Sequence, residues 1–173
     1  MHKEGDALLI QQPVYYPFRE VIEDNGRIFV NNQLHYEDGK YTIDFEDFEK
    51  KIVDNNVKVF ILCNPHNPVG RVWTKEELEK MGDICLKHNV VIMDDEIHCD
   101  FTYPGFKFTS FMTLDEKYHN SLVLYTSPSK TFNVAGLQPA NIIIKNPELR
   151  AAYRKANAAA GYSQGSIMGQ VAV

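Results

Sequence analysis

The stretch "VKVFILCNPHNPVGRVWTKEELEKMGDICLKHNVVIMDDE", residues 57–96, holds two apolar runs on either side of an amphipathic segment. The runs 57–65 and 89–96 are rich in β-branched residues and are flanked by turn residues, which is typical of buried strands. Between them, Thr74 stands three residues before Glu77, the spacing of a capping box at the start of a helix. The stretch therefore predicts a strand, a helix and a second strand, the repeating unit of a parallel sheet.

The same alternation continues on both sides of this stretch. Further strands are expected at "DALLIQQ" (6–12), "RIFVNNQLH" (27–35), "SLVLYTS" (121–127) and "ANIIIKN" (140–146). Further helices are expected at "YYPFREVIEDNG" (15–26), "YTIDFEDFEKKIVDNN" (41–56) and "PELRAAYRKANAAAGY" (147–162). Gly26 can take the left-handed conformation that ends the first helix, and Asp44 can accept hydrogen bonds from the first-turn amides of the second. The predicted fold class is α/β, a mostly parallel sheet with helices on its faces.

The composition limits the classes of protein to which the chain can belong. At 173 residues and 44 % hydrophobic, the chain has the size and apolar content of a single globular domain. No apolar run reaches the roughly 18 residues of a membrane span, and the start "MHKEGD" lacks the apolar core of a signal peptide. A cytoplasmic protein is therefore predicted. The net charge of −5 has no long like-charge block, which argues against a nucleic-acid or membrane partner.

The cysteines predict neither disulfides nor a metal site. The chain has three cysteines, an odd number, which are widely spaced and include no CxxC pair: Cys63, Cys85 and Cys99. We interpret them as buried thiols.

The residues that follow the strands decide what the predicted sheet can bind, because ligands of open α/β sheets lie at the carboxyl ends of the strands. The segments at these positions are "QQPVYYPF" (11–18), "CNPHNPVG" (63–70), "DDEIHCDF" (94–101) and "TSPSKTF" (126–132). Together they bring aromatic rings, an asparagine, a carboxylate, a histidine, hydroxyls and the amine of Lys130 to one edge. A pyridine ring with an aldehyde, a phenolic oxygen and a phosphate would use all of these groups.

Three of the motifs resemble those of a known enzyme family. "NPHNPVG" (64–70), "DDEIHCDF" (94–101) and "SPSKTFNVAGLQ" (127–138) are similar to motifs of pyridoxal 5′-phosphate (PLP) enzymes of the aspartate-aminotransferase fold, class I/II, and of their C-S β-lyase (cystathionine β-lyase-like) branch. The resemblance extends from about residue 6 to residue 155. It implies a three-layer, fold type I large domain, PLP as cofactor, an amino acid as the small-molecule substrate, and a homodimer whose partner completes the phosphate pocket.

The resemblance assigns a role in binding the cofactor to each of three residues. Lys130 matches the lysine that holds the cofactor aldehyde and later acts as the base that removes the substrate Cα proton. Asp95 matches the aspartate that keeps the pyridine nitrogen protonated, and the neighbouring Asp94 is the alternative if the match is shifted by one position. Asn67 matches the asparagine that hydrogen-bonds the phenolic oxygen; the alternative is an ordinary turn asparagine before proline.

Three further assignments follow from the same resemblance. Tyr15 matches the aromatic residue that stacks on the pyridine ring, with Tyr16 as the alternative. Ser127 is expected to bind the phosphate, because its hydroxyl stands three residues before the lysine. His98 occupies a position where aminotransferases of this fold usually carry tyrosine, and this difference favours the lyase branch.

The chain departs from the wider family in two respects. Aminotransferases often have an arginine eight positions after the lysine, whereas this chain has Gln138, which suits the lyase branch and receives no role. Full-length enzymes of the family are also much longer. The resemblance therefore predicts a partial PLP-binding large domain at residues 1–173, truncated at both ends, with the N-terminal segment and the C-terminal small domain absent. "GQVAV" (169–173) is expected to be an unfinished helical stretch.

These assignments support three functional hypotheses. The first is a PLP-dependent carbon-sulfur β-lyase that cleaves cystathionine or a related cysteine S-conjugate to a thiol, pyruvate and ammonia. The second is a PLP-dependent aminotransferase, which uses the same groups and the same removal of the Cα proton. The third is a catalytically inactive structural fragment of such an enzyme.

Overall fold

The computed structural model describes residues 3–162 and 165–172, and its centre is a six-stranded sheet. In chain order the strands of the sheet are β1 (Ala7–Ile10), β2 (Ile28–Asn31), β5 (Val59–Cys63), β6 (Val91–Asp95), β7 (Leu122–Thr126) and β8 (Asn141–Ile143). They lie side by side as β2-β1-β5-β6-β7-β8. Every neighbouring pair is parallel except β7 and β8, so the prediction of a mostly parallel sheet is confirmed.

Helices cover both faces of the sheet, as predicted. They are α1 (Pro17–Asp24), α2 (Phe45–Asp54), α3 (Lys75–Lys87), α4 (Pro147–Ala159) and the short α5 (Ile167–Ala172). On one face, Phe48 of α2 and Leu78 of α3 join a continuous buried core with Phe60, Leu62 and Ile92 of the sheet. On the other face, α1 packs against β1 and β5 in a smaller core, and α4 lines a trough over the central strands.

The helix starts follow from the capping residues that the sequence contains. The side chain of Asp44 accepts a hydrogen bond from the Asp47 amide at 2.9 Å, which fixes the start of α2. Thr74 and Glu77 form the predicted capping box, in which each side chain bonds the other residue's amide. Gly26 has a φ of 65°, the left-handed conformation expected after α1. These local predictions are confirmed.

One element was not predicted. The sequence pattern predicts a strand at 27–35 and a helix at 41–56, but β2 ends at Asn31 and α2 begins only at Phe45. Between them a small hairpin forms from β3 (His35–Glu37) and β4 (Lys40–Thr42). Its turn residues Asp38 and Gly39 both have positive φ values, as in the hairpin turns that favour the pair Asp-Gly.

Two smaller predictions can also be compared with the structure. Cys63 and Cys85 are buried, but Cys99 is only half-buried, because it lies in the loop after β6. The described part of "GQVAV", residues 169–172, belongs to α5, and Val173 lies outside the described residues.

Candidate active site

The strand order places a topological switch point between β1 and β5. β1 pairs with β2 on one side and with β5 on the other, so the chain changes direction across the sheet between β1 and β5. Ligands of open α/β sheets bind at such switch points. The segments that leave β1 and β5 here carry Tyr15 and Asn67, two of the predicted cofactor-binding residues.

Two consecutive aspartates end β6 and face opposite sides of the sheet, because side chains alternate along a strand. Asp94 is fully buried and shares its face with Ile92 and the core under α2 and α3. Asp95 shares its face with Met93, and both line a cavity of ≈340 Å³ that also includes Ser127. The structure therefore separates the two aspartates that the sequence left as alternatives, and it is Asp95 that reaches this cavity.

Asp95, His98 and Lys130 form an electrostatic cluster beyond β6 and β7. Burial raises the pKa of Asp95 above its ordinary value, while a hydrogen bond from the Ile97 amide at 3.1 Å and the positive charges of His98 and Lys130 oppose that rise. Burial also lowers the pKa of His98, with the charge of Asp95 opposing this effect and that of Lys130 adding to it. The side chain of Lys130 is exposed. The three predicted residues are thus close enough for their charges to interact.

Ser127 lies next to this cluster but already uses its hydroxyl. The hydroxyl donates to the carbonyl of Pro139 at 2.6 Å and accepts from the Ser129 amide at 3.1 Å. The hydroxyl oxygens of Ser127 and Ser129 are 2.7 Å apart. To donate to a phosphate, the Ser127 hydroxyl would have to turn away from Pro139.

Tyr15 approaches the cavity through an intervening ring. Phe18 lines the cavity with Asp95 and Ser127, and its ring meets that of Tyr15 edge to face with the centroids 5.8 Å apart. Tyr15 is 43 % exposed and the alternative, Tyr16, is 70 % exposed. Tyr15 is therefore the better enclosed of the two candidates for ring stacking.

Asn67 sits on a closed turn after β5. The His66 amide donates to the carbonyl of Arg71 at 2.7 Å, and the Gly70 amide donates to the carbonyl of His66 at 2.8 Å. The backbone amide of Asn67 contacts the sulfur of Cys63 at 3.4 Å. Burial raises the pKa of Cys63 to about 12, so this sulfur is a neutral thiol that packs under the turn.

A second buried acidic residue, Glu96, lies beside Asp94 and is not among the residues predicted from the sequence. Glu96 is 3 % exposed, and one of its oxygens accepts from the Phe111 amide at 2.9 Å. Burial raises the pKa of both carboxyls. Glu96 raises the pKa of Asp94 further, whereas the hydrogen bond with Asp94 lowers the pKa of Glu96. No N–H or O–H group of the described residues donates a hydrogen bond to either oxygen of Asp94. This fits a protonated Asp94 whose own hydroxyl donates to Glu96. The spacing i, i+2 at a strand end was the available sequence signal.

The described residues, 3–162 and 165–172, hold neither a candidate metal site nor a membrane-spanning helix. They contain no cluster of three or more histidine, cysteine or acidic side chains that could hold a metal ion. They also contain no helix with the length and apolar character needed to cross a bilayer.

Comparison with known proteins identifies the family. The model of the aminotransferase class I and II family matches residues 1–173, and the chain belongs to that family. Cystathionine beta-lyase PatB of Bacillus subtilis is 48 % identical over 149 residues, which cover 86 % of this chain and 38 % of the relative. The crystal structure of cystalysin from Treponema denticola, which contains PLP, superposes with a TM-score of 0.93 at 44 % identity, covering 96 % of this chain and 42 % of cystalysin.

Aminotransferases match as well, at lower identity. The aspartate aminotransferase of Sulfolobus acidocaldarius is 32 % identical over 142 residues, which cover 82 % of this chain and 35 % of that enzyme. The chain thus spans about two fifths of the length of the relatives it matches. The family and the fold predicted from the motifs are confirmed.

Proposed function

We propose that the protein is a PLP-dependent carbon-sulfur β-lyase that acts on cystathionine or a related cysteine S-conjugate. The reaction breaks the Cβ–S bond and consumes one water molecule, so that the products are a thiol, pyruvate and ammonium. With cystathionine the thiol is homocysteine. The observation that carries the proposal is the cluster of Asp95, His98 and Lys130 beside a cavity at the carboxyl edge of the sheet.

The side chains at this edge have the chemistry that PLP requires. The carboxylate of Asp95 and the hydroxyl of Ser127 line one cavity together with the ring of Phe18, and the positive charges of His98 and Lys130 favour the ionised form of Asp95. When bound, PLP supplies an electron-withdrawing ring that stabilises a carbanion at the substrate Cα. We assign Lys130, Asp95, Asn67, His98, Tyr15 and Ser127 to its binding.

Each of these residues then has a defined task. Lys130 would hold the cofactor aldehyde, and its Nζ, when free, would be the base that removes the Cα proton. Asp95 would keep a proton on the ring nitrogen, since a carboxylate facing a ring cation lowers the free energy of the charged pair. Asn67 and His98 would orient the phenolic oxygen, Tyr15 would stack on the ring, and Ser127 would contact the phosphate.

Two observations favour elimination over amino-group transfer. His98 stands where aminotransferases of this fold usually have tyrosine, so an imidazole takes the place of a phenol. The lyase PatB is also more similar to the chain, at 48 % identity, than the aspartate aminotransferase, at 32 %. Both reactions share the Cα deprotonation, so a barrier difference of only about 1.4 kcal/mol changes their ratio tenfold.

The test is to measure both products of the full-length protein loaded with PLP. Pyruvate is followed with cystathionine as substrate, and glutamate with an ordinary amino acid plus 2-oxoglutarate. We expect pyruvate, homocysteine and ammonia to form faster than glutamate. Dominant glutamate formation with negligible pyruvate would overturn the lyase proposal.

That second outcome would establish the alternative function, aminotransfer. It is supported by the family model, which is that of aminotransferases, and by the match to aspartate aminotransferase. Activity in the full-length protein with neither product formed by residues 1–173 alone would support the third hypothesis, an inactive structural fragment. The homodimer and the cytoplasmic location stay predictions.

A further inference from the structure

The turn that carries Asn67 contains a buried histidine with no role in the proposed reaction. His66 is 2 % exposed and lies at the carboxyl edge, directly after β5. Its Nε2 is 3.0 Å from the carbonyl oxygen of Pro13, which belongs to the segment between β1 and α1. Its ring is nearly perpendicular to that of Trp73, with the centroids 5.4 Å apart.

The contact with Pro13 fixes the form of the imidazole. A carbonyl oxygen can only accept, so Nε2 carries the hydrogen and donates it. Burial lowers the pKa of His66 to about 4, although the Pro13 carbonyl opposes this change, so the ring is neutral near pH 7. Nδ1 then bears a lone pair, and it has no partner among the described residues.

This hydrogen bond joins two segments that are distant in sequence. Pro13 is two residues before Tyr15, and His66 is next to Asn67. The His66 side chain therefore connects the segment that carries Tyr15 to the turn that carries Asn67. The backbone bonds of His66 with Arg71 and Gly70 close that turn upon itself. The imidazole therefore links the segments that follow β1 and β5 across the switch point of the sheet.

We propose that His66 is a positioning residue that holds Tyr15 and Asn67 at the separation required to bind one pyridine ring between them. It touches neither substrate nor cofactor and acts only through these two residues. The inference rests on the proposed PLP site. A ligand that contacts both segments gains from their fixed separation, because less ordering is needed on binding.

A matched pair of amide variants tests the hydrogen bond. The side-chain nitrogen of glutamine can occupy the position of the histidine Nε2. The side-chain nitrogen of asparagine lies nearer the position of Nδ1, because the asparagine side chain is too short to reach Pro13. His66→Gln is therefore expected to bind PLP nearly as well as the parent. His66→Asn is expected to bind it about tenfold more weakly, which corresponds to about 1.4 kcal/mol, the size of one net hydrogen bond.

The readout is PLP affinity of the cofactor-free protein, from the fluorescence of Trp73, the sole tryptophan of the chain. Urea unfolding of both variants shows whether they are folded. Equal affinity in His66→Gln and His66→Asn, both folded, overturns the positioning role while leaving the PLP site intact. A parent protein that does not bind PLP overturns the proposed function itself.

A measurement on the unsubstituted protein covers the case in which the variants fail to fold. Nitrogen-15 NMR of the histidine rings reports which nitrogen carries the proton and at which pH the ring titrates. We expect His66 to carry its proton on Nε2 and to stay neutral down to about pH 5, since its pKa is about 4. A proton on Nδ1 with none on Nε2 contradicts the proposal, because the bond to the Pro13 carbonyl then cannot form.

Discussion

The two faces of the sheet are packed differently. Under α2 and α3 the core is continuous, and Phe48, Leu62 and Ile92 are almost inaccessible to solvent. Between α1 and α4 the central strands instead line a trough of ≈360 Å³, which adjoins the cavity beside Asp95. The first face stabilises the fold, whereas the second gives access to the carboxyl edge, where the polar groups are.

The largest effect is expected from matched isoleucines on the two faces. Ile92 of β6 lies in the closed core, while Ile61 of the neighbouring strand β5 lines the trough. Ile92→Ala should lower the free energy of unfolding by about 4 kcal/mol, because it leaves a closed void. Ile61→Ala should cost about 2 kcal/mol, since its space joins an existing opening. Urea denaturation measures both, and equal losses would show that the faces are equally packed.

The next comparison uses the consecutive aspartates. Asp95→Ala should preserve the fold but reduce turnover of the PLP-loaded full-length protein about 100- to 1,000-fold, roughly 2.7 to 4 kcal/mol by analogy with other positioned charges. Asp94→Ala should mainly lower stability, because Asp94 is buried on the opposite face. Steady-state kinetics and urea denaturation of both variants are the measurements. Near-parental turnover of Asp95→Ala, with a loss in Asp94→Ala, would reverse the assignment.

A smaller effect is expected in the pH dependence of stability. The pKa of Asp94 in the folded protein is raised by burial and by Glu96, so folding binds a proton that the unfolded chain releases above its ordinary pKa of 3.8. The stability that this proton contributes is complete below pH 3.8 and is lost as the pH rises through the folded pKa. Asp94→Asn removes this loss, at most about 1.4 kcal/mol per pH unit.

We therefore expect the stability of Asp94→Asn relative to the parent to increase from pH 4 to pH 7. The carboxyls of Glu96 and Asp95, the charged neighbours of Asp94, remain in both proteins. Urea unfolding at several pH values is the measurement. A stability difference that is constant across this range would show that Asp94 is ionised in the folded protein.

The smallest effect concerns the start of α3, on the closed face. Thr74→Ala removes the side chain that accepts from the Glu77 amide, and it should cost about 1 kcal/mol of unfolding free energy. Thr74→Ser keeps a hydroxyl and is the control, with stability close to that of the parent. If both variants are equally destabilised, the capping bond is not the cause.

Sequence reasoning succeeded where the signal is local. The capping residues Asp44 and Thr74 and the left-handed Gly26 depend only on neighbours a few positions away, and all three are confirmed. The hairpin at Asp38 and Gly39 had an equally local signal, the Asp-Gly pair. Its strands are so short that the sequence pattern assigns parts of them to the preceding strand and the following helix. The parallel order of the strands followed from the alternation of strands and helices.

The site was predictable in part. The ends of the strands indicated which segments meet, and the side-chain alternation of β6 separates Asp95 from Asp94 once the strand boundaries are known. The bond between His66 and Pro13 joins residues 53 positions apart, and no local pattern reveals it. The hydroxyl of Ser127, bound to the Pro139 carbonyl, is likewise a consequence of tertiary packing.

Whether the carboxyl edge binds PLP through Lys130 is decided by adding PLP to the protein, reducing with borohydride and mapping the labelled lysine by mass spectrometry. We expect the label on Lys130 alone, because it is the lysine beside Asp95 and His98. Lys75 and Lys117 instead pair with Glu79 and Asp83 at 3.7 Å and 2.7 Å. Label on another lysine, or equal label on several, would contradict the assignment of the site.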